Sequence, residues 1–180
     1  MPRNFQPERL NVLALAQDGE PVAATTPLSA LERLSAESAL PGAPADVAWQ
    51  VRAELRPAAS GGESVWMHLA AQASVALTCQ RCMAPVTVAL QADQWFRFVA
   101  DEDTAMAEDD EAEEDLLVMT PQFDLQALIE DELLMALPLV PMHEVCPEPP
   151  SLRAGEEDMA EPAPAPHPFA VLGQLKKKSD

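Results

Sequence analysis

Val65-Trp66-Met67-His68-Leu69-Ala70-Ala71-Gln72-Ala73-Ser74-Val75-Ala76-Leu77-Thr78-Cys79 is the stretch from which the fold is best read. Val65, Met67, Leu69, Ala71, Ala73, Val75, Leu77 and Cys79 alternate with Trp66, His68, Gln72, Ser74 and Thr78. Side chains on a strand point to opposite faces in turn, so this pattern predicts a long, half-buried strand. Its length suggests one bend or break, near Ala70–Ala73.

Working outward, Asp46–Arg56 repeats the alternation with Val47, Trp49, Val51, Ala53 and Leu55 on one side. Ser60-Gly61-Gly62-Glu63 supplies a hairpin connection between the two runs. After Cys79, Gln80–Pro85 reads as a turn, and Val86, Val88, Leu90 and Ala92 open a third strand that continues to Val99. A short strand is expected at Leu116-Leu117-Val118. Towards the amino terminus, Pro7 and the spacing of Leu10, Leu13, Ala14 and Ala16 predict a short helix over 7–17, ended by Asp18-Gly19. Glu20–Pro27 looks extended, and Leu28, Leu31 and Leu34 mark a second short helix. Asp124 is a suitable N-cap for a helix over Leu125–Leu137, whose apolar stripe is Leu125, Leu128, Ile129, Leu133 and Ala136. Pro138 and Pro141 end it. Hairpin-linked strands with flanking helices predict an α+β fold, an antiparallel sheet or partly closed β-barrel.

The 180 residues suit one domain with tails, expected as a domain over 1–146, a Pro/Ala/Glu-rich linker over 147–167 and a C-terminal piece over 168–180. Asp101–Asp115 is dense in carboxylates and lacks any cation, so a disordered acidic loop is expected there. The net charge of −19 sets a field that repels phosphate. Direct RNA binding is therefore not expected over most of the surface, and Lys176-Lys177-Lys178 is the one basic run. No signal peptide and no apolar run of membrane-spanning length is read in the chain, and three cysteines fit a reducing cytoplasm.

All three cysteines and one of three histidines fall in two short pairs, Cys79-Gln80-Arg81-Cys82 and His143-Glu144-Val145-Cys146. If the fold joins them they make a Cys3His set, one of the tetrahedral zinc sets. The competing readings are two buried thiols beside a surface histidine, or a redox pair at Cys79 and Cys82. The redox reading lacks the helix N-terminus that stabilises a thiolate in Cys-x-x-Cys motifs. Glu130, Asp131 and Glu132 read as the solvated face of the helix, and His68 as exposed or packed beside Trp66. There is no Ser/His/Asp set, no phosphate loop and no strong aromatic-plus-basic patch, so no enzyme is expected. Phe169, Leu172 and Leu175 recur at three-residue spacing behind a proline-rich tether, as in a short helical docking peptide.

The order of these words is more specific than any one of them. Val75-Ala76-Leu77-Thr78-Cys79-Gln80-Arg81-Cys82, an acidic insert, Asp131-Glu132-Leu133-Leu134-Met135-Ala136-Leu137-Pro138, His143-x-x-Cys146 and Pro168-Phe169-Ala170-Val171-Leu172 together resemble the YceD family. Members of that family are associated with accumulation of large-subunit ribosomal RNA. The likeness runs from about Thr26 to Leu175. It implies a non-enzymatic ribosome-biogenesis factor that supports synthesis, processing or stability of 23S rRNA. With this charge, its expected partners are ribosomal proteins or assembly factors of the large subunit. The alternative function is a small zinc- or redox-responsive module built on Cys79, Cys82, His143 and Cys146.

Overall fold

The computed structural model describes residues 6–58 and 61–148, and everything below refers to them. The fold is α+β, with five strands in the order β1-β2-β3-β4-β5: Val22–Pro27, Asp46–Pro57, Glu63–Thr78, Pro85–Val99 and Asp115–Val118. Four helices accompany them: α1 (Val12–Asp18), α2 (Glu32–Ala36), α3 (Glu102–Glu108) and α4 (Leu125–Met135).

β3 is the spine. It runs unbroken past the alanines where a bend or break was expected, and pairs antiparallel with β4 from Val65↔Phe98 to Thr78↔Pro85. On its other side it pairs with β2 from Ala48↔Gln72 to Pro57↔Glu63. Gly61 and Gly62, both with φ near +90°, turn the chain between β2 and β3, a conformation that costs glycine nothing. Of the residues of β2 and β3 expected to be inward, Val47, Trp49, Val51, Met67, Leu69 and Val75 are buried, and Leu55 is half-buried. They meet Val12 and Leu15 of α1, Leu34 of α2 and Leu125, Ile129 and Leu133 of α4 in one core.

Two features depart from the sequence reading. The sheet is mixed and open, because β5 lies parallel to β4 (Phe96↔Asp115 to Val99↔Val118) and no pairing joins β1 to β5 among the described residues. The acidic stretch 101–115, expected to be disordered, contains α3 and leads straight into β5. Asp101 caps α3 by accepting from the Thr104 backbone N–H (2.8 Å) and hydroxyl (2.7 Å). Arg97 of β4 donates to Glu108 (2.6 Å) and to Glu114, so one cation from outside the segment ties the end of α3 and the approach to β5 to the sheet. Composition showed the repulsion within the run but not this partner.

The Glu130-Asp131-Glu132 reading also changes. Asp131 is exposed, but Glu130 and Glu132 are each only 8% accessible. Glu130 accepts from the backbone N–H groups of Arg33 (2.7 Å) and Leu34 (3.1 Å) and from the Arg33 side chain. It satisfies N–H groups that the first turn of α2 would otherwise leave unpaired.

Candidate metal centre

The Cys79–Ala84 turn links β3 to β4, and the chain leaving α4 folds back over it. Leu137 follows the last turn of α4, and Pro138 and Pro141 keep the exit segment extended. Pro141 accepts from the Gln80 N–H (2.9 Å), registering the segment on the turn. Within the turn, Met83 donates to the Cys79 carbonyl (2.9 Å) and Cys79 donates to that of Ala84 (3.0 Å). Met83 takes a left-handed φ of 62°.

This docking brings Cys79, Cys82, His143 and Cys146 together, their ligand atoms all within 4.8 Å of one another. Cys79 is buried and the other three are half-buried. The Cys79 and Cys146 sulfurs are 4.0 Å apart, and Cys82 Sγ lies 3.5 Å from His143 Nδ1. A tetrahedral ion with bonds of ~2.3 Å to sulfur spaces its sulfurs ~3.8 Å apart, close to what is seen. The cysteines are free thiols.

The surroundings suit the same purpose. His143 Nε2 lies 3.1 Å from the Pro85 carbonyl oxygen, which can only accept, so Nε2 carries the proton. That leaves the Nδ1 lone pair facing Cys82, the orientation that outer hydrogen bonds impose on ligating histidines. Burial alone would raise the Cys79 thiol. The backbone of Cys82, His143 and Arg81 and the His143 side chain overcome it and hold Cys79 down at about 5, against an ordinary 9.0. Cys82 moves the other way. Against a lowering hydrogen bond from the Ala84 backbone, burial and the sulfurs of Cys146 and Cys79 push its thiol up. One thiolate is thus ready, while a further one is resisted by its neighbours, a conflict that a cation removes. Arg81 donates to Cys146 Sγ (3.0 Å) and to the carbonyls of His143 (2.8 Å) and Glu144 (3.3 Å). Its positive charge offsets the excess that three thiolates would bring to a divalent ion. The four residues form a group able to hold a metal ion.

The structure also gathers what the sequence reading missed. On the sheet face opposite the helices, Arg56 lies 4.3 Å from the Trp66 ring and 4.0 Å from that of Trp95, and Arg52 lies 5.0 Å from Trp95. His68 packs on Trp95 at 4.8 Å, rather than on Trp66, and meets Asp93 at 2.6 Å. The signal was the register: Arg52, His68 and Trp95 sit in one cross-strand row. Yet the guanidinium groups cover the indoles, and Glu54 pairs with Arg56, so this is a poor stacking platform for bases. Beside it lies an open hollow of about 620 Å³, lined by Ala23, Thr25, Ala48, Gln50, Gln72 and Gln91 among others, which offers no catalytic grouping. Phe169, Leu172 and Leu175 lie outside the described residues.

Comparison with known proteins fits this arrangement. The YceD family, described as "Large ribosomal RNA subunit accumulation protein YceD", matches residues 67–176, a span that includes all four ligand candidates. The chain is 38% identical over 115 residues to the protein of that name from Haemophilus influenzae. The aligned part is 59% of this chain and 63% of that relative, so the chain spans less than two thirds of its length. No solved structure matches significantly. Among the described residues no helix is long and apolar enough to cross a membrane. The family match covers well over half of the sequence: the chain belongs to the YceD family.

Proposed function

We propose that this chain is a non-enzymatic, cytoplasmic factor that supports the synthesis, processing or stability of large-subunit (23S) rRNA, acting through protein contacts. The observation that carries the reading is the match to a family described by large-subunit rRNA accumulation. Contact through proteins is supported by the net charge of −19 and by the guanidinium-covered tryptophans of the outer face. The partners are ribosomal proteins or assembly factors, and Phe169, Leu172 and Leu175 are the proposed docking residues of the tail, joined to the 1–146 domain by the linker 147–167.

Zinc is the ion proposed for Cys79, Cys82, His143 and Cys146, since three thiolates and an imidazole form a standard closed tetrahedral set for it. When bound, it would supply a cross-link between the β3–β4 turn and the α4 exit rather than a reactive water. The zinc- or redox-responsive alternative draws on the lowered Cys79 thiol. Tightly held zinc needed only for folding argues against it, and zinc that exchanges readily and alters partner binding argues for it.

Deleting the gene and measuring 23S rRNA and its precursors against 16S rRNA tests the main reading. The expected result is a selective fall in mature 23S rRNA restored by the full chain. Unchanged 23S rRNA and precursors would end it.

A further inference from the structure

The two loops that the Cys3His group ties together carry a concentration of exposed apolar side chains. Leu139 is 101% accessible, Val145 85% and Met83 70%, with Val140 and Met142 each at 53%. Their loops are held together by the contacts already described, the Gln80 N–H to the Pro141 carbonyl and the Arg81 side chain to the carbonyls of His143 and Glu144. The other exposed large apolar residues, such as Leu13, Leu40 and Met106, lie on separate elements. Isolated apolar residues on a surface need no explanation, but a cluster does.

Met83 adds an independent observation. Its φ of 62° is a conformation that glycine or asparagine adopts readily, and a methionine there is strained by about 1 kcal/mol or more. The turn requires the backbone conformation, not the thioether, which it holds out in solvent. A residue that breaks the local rule without gain to the fold indicates a role outside the fold.

Charge narrows the partner. Arg81, the cation of these loops, is turned inward onto Cys146 and two carbonyls. Glu144 and Glu148 are exposed on the same stretch, so the charge these loops present outward is negative. An apolar centre in an anionic setting complements a helix with an apolar stripe and basic flanks. Two of these five positions, Met83 and Met142, are methionines, whose unbranched side chains adapt to such a stripe.

The geometry points to these two loops as a docking surface for a cationic amphipathic helix of a partner protein, with Met83, Leu139, Val140, Met142 and Val145 receiving its apolar stripe. This deepens the protein-contact reading above and rests on it for its biological setting, but its physical test is separate. The probe is a synthetic Leu/Lys helix of about five turns, alongside a scrambled peptide of equal composition with no stripe. Binding of each to the full chain is read by fluorescence anisotropy at physiological salt. The ordered peptide is expected to bind at least about tenfold tighter than the scrambled one. A Leu139→Ser/Val145→Ser variant should lose that preference while keeping its thermal transition and metal content. Met83→Gly, which relieves the backbone and removes the side chain, should weaken the ordered peptide several-fold while leaving the fold at least as stable.

Equal binding of the two peptides, or a preference unchanged in the double variant, would overturn the assignment and leave simple charge attraction. Sedimentation showing a dimer that the double variant abolishes would assign the surface to a second copy, and overturn it too. Peptide preference with normal 23S rRNA in the deletion strain would keep the docking surface and remove the biogenesis reading. The reverse pattern would do the opposite.

Discussion

Glu130→Ala is the perturbation whose cost can be worked most directly from the structure. Glu130 is buried on α4, yet it acts on α2, nearly a hundred residues earlier in the chain. Its carboxylate accepts from the Arg33 N–H at 2.7 Å and the Leu34 N–H at 3.1 Å, the latter a buried contact. Loss of an N-cap acceptor costs about 1 kcal/mol. A hydrogen bond to a charged group is worth about 1.5–3 kcal/mol, and a buried donor left unpaired costs as much again in the worst case. The Arg33 side chain is half exposed, so its ion pair adds little. Combining these terms without counting the same N–H twice gives a loss of about 2–4 kcal/mol. At about 2–4 °C per kcal/mol for a chain of this size, Tm should fall by roughly 4–16 °C.

Urea denaturation followed by circular dichroism measures the loss, and amide exchange locates it. Exchange at Arg33 and Leu34 should accelerate well beyond that at Met67 or Leu69, which sit in the middle of β3. Asp131→Ala is the control, because Asp131 is exposed and bonds only the tip of Arg33. A Glu130→Ala protein within about 0.5 kcal/mol of the parent, the range of ordinary surface changes, would refute the claim that this carboxylate caps α2.

Other expectations follow from the same structure. Purified protein should contain one zinc per chain, and Cys146→Ser or a strong chelator should remove it and lower the thermal transition, as metal analysis and calorimetry would show. Arg81→Met should weaken zinc about 10–100-fold in competition titrations, because an outer partner of a ligand is lost. Glu132 is buried, and desolvation, then Asp115 and Asp131, raise its carboxyl above the ordinary 4.5. Its folded form therefore favours the proton, so ionisation destabilises the fold as pH rises above the carboxylate range. Glu132→Gln should stabilise by about 0.5–2 kcal/mol at pH 7, with the gain vanishing as pH falls below that range, read by denaturation at both pH values. Arg97→Gln should release Glu108 of α3 and Glu114 from β4, increasing limited proteolysis within 101–115 while β2 and β3 stay protected.

The alternation in Asp46–Arg56 and Val65–Cys79 was legible because a strand with one buried face records its orientation in every second residue. The apolar stripe of Leu125, Leu128, Ile129, Leu133 and Ala136 was legible for the same reason at helical spacing; the first four are buried and Ala136 is half-buried. The two Cys/His pairs could be named from spacing alone. Their meeting could not, since it depends on the α4 exit folding back over the β3–β4 turn. What stayed hidden depends on partners distant in sequence: Arg97 for the acidic segment, Arg33 for Glu130, and the cross-strand row of Arg52, His68 and Trp95. The parallel β5 was hidden too, because a strand of four residues, exposed at Asp115 and half-buried in the other three, carries no signal of strand direction. His68 was placed on the correct face, but beside the wrong tryptophan, as register decides which ring it meets.

The length of β4 has a consequence of its own. The strand begins at Pro85, next to the turn that carries Cys79 and Cys82, and ends at Val99, where the acidic segment begins. That path is about 45 Å along the strand, several times the ~8 Å over which salt at cellular strength screens a charge. The carboxylates of 101–115 are thereby electrostatically insulated from the thiolates at the other end. Neutralising the acidic run should therefore leave the affinity of the Cys/His group for a metal unchanged, so the charge of that segment is free to vary without cost to the far end.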